Sequence, residues 1–188
     1  MRAMIHLLKY DRVLPAADFL GLRLSAAIAK LTSELAPEGV ATPTENGWIV
    51  IPVPLHSSKL RQRGFNQAEL IARAALRLPE WRHLRLDTRA LVRHRETVSQ
   101  AGLSRHQRRE NIRGAFRVSR PGAVAGRDVL LVDDVFTTGA TVSECARVLR
   151  RAGARGVWVA TAARTVKADR VLHPILTEHE VQVVQDAA

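Results

Sequence analysis

Residues Asp128 to Thr141 read Asp-Val-Leu-Leu-Val-Asp-Asp-Val-Phe-Thr-Thr-Gly-Ala-Thr, and this stretch decides the fold. Val129 to Val132 is an unbroken apolar run too short for a helix, and its branched side chains suit a strand covered on both faces of a parallel sheet. Asp133 and Asp134 then place two carboxylates at the carboxyl end of that strand, where open parallel sheets bind their ligands. Thr137, Thr138, Gly139, Ala140 and Thr141 follow as a small-residue turn. Its hydroxyls and backbone amides can surround an anion at the positive end of the next helix. Val142, Cys145, Ala146, Leu149 and Ala152 mark one face of that helix, with Gly153 as its stop. Carboxylates that accept from ribose hydroxyls, beside amides that hold a phosphate, fit a sugar phosphate. The two commonest phosphate loops are excluded, because there is neither a Gly-Lys-Ser/Thr ending nor a Gly-x-Gly-x-x-Gly run here. The plainer reading makes Asp134 the start of a turn and Thr141 a helix cap.

A chain of 188 residues with 46% hydrophobic and 25% charged residues is expected to form a single globular domain over 1–188. No apolar run approaches the roughly 18 residues of a membrane span, and Met1 to Tyr10 lacks the features of a signal peptide. A cytoplasmic protein without membrane insertion is the expectation. Cys145 is the only cysteine, so neither an intrachain disulfide nor a zinc ribbon can form, and it reads as a small core residue. The formal net charge of +11 implies polyanionic partners. Much of the excess lies between Arg82 and Arg120, where eleven arginines face only Asp87, Glu96 and Glu110.

Met4 to Tyr10 and Pro15 to Leu35 read as helices, the second carrying Leu20, Leu24, Ile28 and Leu31 at helical spacing, so the chain is helical over about 1–36. Ala36 to Gly47 reads as a loop. Trp48 to Val53 is a second buried strand, ended by Pro52 and Pro54. A basic loop from Leu55 leads to Asn66, which caps a helix marked by Leu70, Ile71, Ala74, Ala75 and Leu78. In that loop Lys59, Arg61 and Arg63 can meet a pyrophosphate, and equally can be solvated surface. Leu86 to Arg93 and Phe116 to Val118 read as strands separated by a long polar stretch, either a lid or, over Ser104 to Arg113, an exposed helix. Val157 to Ala162 completes a β-α-β unit, with Thr161, Arg164 and Thr165 near the nucleophile's side, and Val181 to Val184 reads as an edge strand. The histidines, His173 and His179 among them, lack metal-ligand spacing.

Val132 to Thr141 resembles the phosphoribosyl pyrophosphate (PRPP) signature of the type I phosphoribosyltransferases. The resemblance implies that Asp133 and Asp134 hold the ribose 2- and 3-hydroxyls while Thr137 to Thr141 wrap the 5-phosphate. A second stretch is narrower in scope. Ile51-Pro-Val-Pro-Leu-His, Arg63-Gly-Phe-Asn-Gln and Leu8-Lys9-Tyr10 are similar to the ComF/GntX family, phosphoribosyltransferase-like proteins linked to competence and DNA uptake. The implied fold is α/β, an open mostly parallel sheet flanked by helices, with a small hood and flexible loop over about 82–118. Pro54, Leu55, His56, Lys59 and Arg63 are placed at the pyrophosphate, and Arg93, Thr97, Gln100, Arg109 and Asn111 in the flexible loop that closes over the site.

The implied chemistry is attack of a nitrogen nucleophile on a ribosyl cation-like centre as pyrophosphate leaves. Magnesium arrives with PRPP, with Asp133 and Asp134 as carboxylates it can meet, and no zinc is expected. Neither a general base nor the acceptor is named by these residues. Non-catalytic PRPP sensing, with single-stranded DNA or a DNA-uptake helicase as partner, is the rival expectation, though 4% aromatic content offers few stacking platforms. Many ComF-like proteins carry a four-cysteine zinc ribbon before the stretch that begins here near Met4. This chain has no counterpart, either because the lineage lacks it or because residues upstream of Met1 are missing.

Overall fold

Strand β5 (Asp128–Phe136) lies third in a five-stranded sheet, and its neighbours explain its composition. The computed structural model describes residues 2–11, 13–35, 48–98, 102, 104–164 and 182–184. On one side of β5 stand β1 (Ile49–Pro52) and then β2 (Arg85–Leu86); on the other stand β6 (Gly156–Arg164) and the edge strand β7 (Gln182–Val184). All four pairings are parallel. Such a sheet needs cover on both faces. Helices α1 (Arg2–Tyr10), α2 (Ala16–Leu35) and α4 (Gln67–Leu76) pack one layer, with Leu20, Leu24 and Ile28 against Val50, Leu130 and Val132. Helix α7 (Ala140–Arg151) covers the other face, burying Val142, Cys145 and Leu149 on Ile51, Val129 and Val159. Burial pushes the Cys145 thiol well above its usual range, which suits an inert core residue.

The chain leaves β1 toward β2 on one side and later returns to β5 on the other. The sheet therefore reverses direction between β1 and β5, and the crevice beyond their carboxyl ends is where such folds bind ligands. Pro52 is in register with Val132, and the Val53 amide donates to the Val132 carbonyl at 2.8 Å, so the two loops that follow start side by side.

Two expectations are corrected. Leu86 to Arg93 is not one strand. β2 ends at Leu86, and β3 (Leu91–Arg93) pairs antiparallel with β4 (Phe116–Val118) in a separate two-stranded sheet. Asp87 makes the break: buried, it accepts from the Arg89 and Ala90 amides at 2.8 and 2.9 Å, turning the chain, and pairs with Arg120. Nor is the basic stretch after Leu55 all loop, since Ser57–Arg63 forms α3. Its side chains bury nothing, so no apolar period announces it, and its ends are held by the His56 cap and by Gly64 at φ 87°. Helix α5 (Arg105–Ile112) begins in a capping box between Ser104 and Gln107. Readings made on Ala36 to Gly47, Gln100, Thr165, Val181, His173 and His179 lie outside the described residues. Among the described residues no helix is long and apolar enough to cross a membrane.

Candidate phosphoribosyl site

Successive strand residues point to opposite faces, and this separates the two acids. Leu130 and Val132 face the layer of α1, α2 and α4, whereas Val129 and Leu131 face α7. Asp134 follows the first pair. It is 4% exposed and forms an ion pair through Oδ2 with Lys9 of α1, without a hydrogen bond to it. Asp133 follows the second pair, half-buried on the side of α7, and its Oδ1 accepts the Asp134 amide at 2.9 Å. Thr161, opposite Asp133 in register, shares that face; its hydroxyl is buried and has no hydrogen-bond partner among the described residues.

Burial pushes the Asp133 carboxyl well above the usual carboxylate range, and the charge of Asp134 adds to the effect, with Lys9 pulling weakly back. The folded chain therefore keeps this proton to higher pH than the unfolded chain does. The stability belonging to the neutral acid is full below the unfolded value near about 4 and is lost as pH rises through the folded one. Asp133→Asn is thus expected to melt higher than the parent at about pH 8, with the gap closing toward about pH 4. A variant that melts lower at the alkaline end would contradict the strain assigned to this acid.

The turn after β5 passes directly into α7. Gly139, at φ 77°, is the N-cap of α7 and supplies no side-chain hydrogen bond to the helix, so the first amides of α7 are not capped by a side chain. Thr138 has a buried hydroxyl without a hydrogen-bond partner among the described residues, Thr137 is exposed and Ala140 is buried. Phe136 is fixed by the Arg164 guanidinium, 5.5 Å from its ring centre.

Across the crevice, Pro54, Leu55 and His56 lead from β1 into α3, and Asn66 ties the loop's two ends by donating to the Val53 carbonyl at 3.0 Å and capping α4. Arg63 donates to Gln67 at 2.5 Å and lies 5.8 Å from the Tyr10 ring centre, while Lys59 is exposed. The small sheet hangs on this loop. His56 and Arg93 form a parallel bridge, and the Ser58 hydroxyl donates to Glu96 at 2.5 Å, a bond that holds the Glu96 carboxyl below its usual range.

Arg93 bonds Thr97, sits 5.6 Å from the Phe116 ring centre, and is lowered from its usual guanidinium value by burial while the Asp133 carboxylate pulls it back up. Asn111 donates to the Val98 carbonyl at 2.9 Å, so Arg93, Thr97 and Asn111 belong to one bonded hood, whereas Arg109 is exposed on α5. A second anchor joins the hood to α7: Glu144 accepts the Gly114 amide at 2.7 Å. A groove of about 690 Å³ lies elsewhere, between α2, α4 and β2, and contains none of these residues.

Residues 68–182 match the phosphoribosyl transferase domain, which is more than half of the chain. The chain belongs to that family. Its named relatives fall in the ComF branch expected from the Ile51 and Arg63 stretches. It is 38% identical to DNA utilization protein YhgH of Escherichia coli O6:H1 over 87% of this chain, and spans 66% of that protein's length. It is 36% identical to Competence protein F of Haemophilus influenzae over 58% of this chain and 47% of that protein. Among solved structures, the hypoxanthine phosphoribosyl transferase of Trypanosoma cruzi matches 91% of this chain and 76% of its own at 14% identity and a TM-score of 0.48. Lys9 and Tyr10 are the site residues that motif reading left without a role. Their signal was only a position in the family pattern, since a lysine in the last turn of a helix is ordinary surface.

Proposed function

We propose that the crevice between β1 and β5 binds PRPP and that the chain transfers, or holds, its phosphoribosyl group. One observation carries the reading: at the reversal point of the sheet, the turn with the unpartnered Thr138 hydroxyl and the loop with Arg63 and Lys59 begin on adjacent, registered strands. The 5-phosphate would rest on the amides of α7 and the Thr137 and Thr138 hydroxyls, the ribose on Asp133, and the pyrophosphate against His56 and α3. Arg93, held above Asp133's side of the sheet by the hood, supports the departing charge. Magnesium would be held chiefly by oxygens of PRPP, because the described residues contain no cluster of three or more metal-ligating side chains; there it neutralises the leaving group.

The names of the relatives, with their references to DNA utilization and competence, support a second reading in which this phosphoribosyl site serves a DNA-linked protein. Arg82, Arg85, Arg89, Arg113 and Arg117 are all exposed and would meet a backbone. Calorimetry of PRPP with magnesium, repeated on Asp133→Ala and Asp134→Ala, tests the main reading. Binding that both variants lose is expected, and pyrophosphate release with candidate amines then separates transfer from sensing. No heat at millimolar PRPP, from folded protein, would sink it. Affinity for a single-stranded oligonucleotide that persists in Asp133→Ala and falls steeply with salt would assign DNA to another surface.

A further inference from the structure

Two consecutive residues of α1 touch both halves of the site. Ile5 and Leu8, 8% and 1% exposed, bury the inner edge of this helix in the core and fix its last turn. From that turn Lys9 reaches Asp134, an ion pair whose side chains are 21% and 6% exposed. Tyr10 lies under the guanidinium of Arg63, on the pyrophosphate side.

We infer that Lys9 is a positioning residue of the ribose site: it holds Asp134 against α1 and leaves Asp133 as the carboxylate open to the sugar hydroxyls. The inference rests on the phosphoribosyl reading. A buried Asp134 charge beside Asp133 would repel a ligand carrying several phosphate charges and oppose any charge on its neighbour, so it needs a resident cation. Lys9 supplies it from the face that Asp134 is bound to occupy by strand alternation. Asp133 faces the other way, partly buried, with Thr161 in register beside it. Without the ammonium, Asp134 keeps a buried charge with no counter-ion and reorients toward another cation.

The test is titration of wild type, Lys9→Met, Lys9→Arg, Asp134→Asn and the Lys9→Met/Asp134→Asn double variant with three probes: PRPP with magnesium, ribose 5-phosphate, and magnesium pyrophosphate. Lys9→Met is expected to weaken PRPP and ribose 5-phosphate by about tenfold or more while pyrophosphate stays within about twofold. Lys9→Arg restores most of the loss. Added to Asp134→Asn, the lysine change costs less than about a further twofold, because Lys9 acts through that acid. Unchanged or tighter PRPP binding in Lys9→Met, an equal loss for pyrophosphate, or additive losses in the double variant would each overturn the inference. Should Lys9→Met not fold, the double variant, free of the unpaired buried charge, carries the comparison with Asp134→Asn. Wild type that binds none of the probes overturns the phosphoribosyl reading and this inference with it; wild type that binds PRPP beside an unaffected Lys9→Met overturns this inference alone.

Discussion

Gly139→Val is expected to weaken PRPP binding by about a hundredfold or more and to lower stability by about 1–3 kcal/mol. The residue sits at φ 77°, where a branched side chain meets its own backbone. A Cβ there would also lie 2.9 Å from the tip of the Phe136 ring, which has the Arg164 guanidinium 5.5 Å from its centre. Relief requires the Phe136 ring to swing away or the turn to shift. The Gly139 carbonyl accepts the Ser143 amide at 2.9 Å, so a shifted turn also shifts the start of α7, whose amides the proposed function assigns to the phosphate. Gly139→Ala should show the same effects in weaker form. Calorimetry with PRPP and a thermal melt check both, and binding within about threefold of the parent would show that this turn does not carry the phosphate.

The largest effect on stability is expected far from the strand ends, at Gly21. Its added Cβ would lie 2.5 Å from the Ala74 Cβ and 3.0 Å from the Ala75 amide nitrogen, in the closest approach of α2 to α4. These atoms belong to a helix backbone and its first carbons, so no rotamer change relieves the contact. Gly21→Val should cost about 3 kcal/mol, the upper range for overpacking, because the two helices must separate over the sheet they both cover. Urea unfolding measures this directly. A cost under about 1 kcal/mol would mean that the helix pair is more loosely seated than its contacts imply.

The contrast between these glycines and Asp133 shows where the chain carries strain. Gly21 and Gly139 relieve close approaches, whereas Asp133 is a carboxylate kept in surroundings that oppose its charge. Strain of that kind belongs at a site that must present an acceptor to a ligand, and it explains why Asp133→Asn is expected to gain stability while losing the sugar.

How much of this was legible without coordinates follows from the range of each interaction. The strands at Ile49, Val129 and Val157 declared themselves, because a strand buried on both faces must be apolar at every position. The turn at Thr137 to Thr141 and the cap at Asn66 were readable for a similar reason, being bonds between residues close in sequence. Helix α3 was not, since it buries no side chain and so leaves no period. The break at Asp87 was missed although the bonds that make it, from the Arg89 and Ala90 amides, are local; only its charge partner, Arg120, lies far along the chain.

By itself, then, the sequence determined a parallel α/β sheet, an acid pair in the last part of a strand that runs on to Phe136, and a small-residue turn after it, all of them consequences of local spacing. Only the tertiary structure decided that the two acids part company. Asp134 turns to Lys9, 125 positions earlier in the chain, and Asp133 turns to α7, Thr161 and the hood. Alternation along a strand says that neighbours face opposite ways, but which layer of helices waits on each face is settled by packing between segments that are distant in sequence.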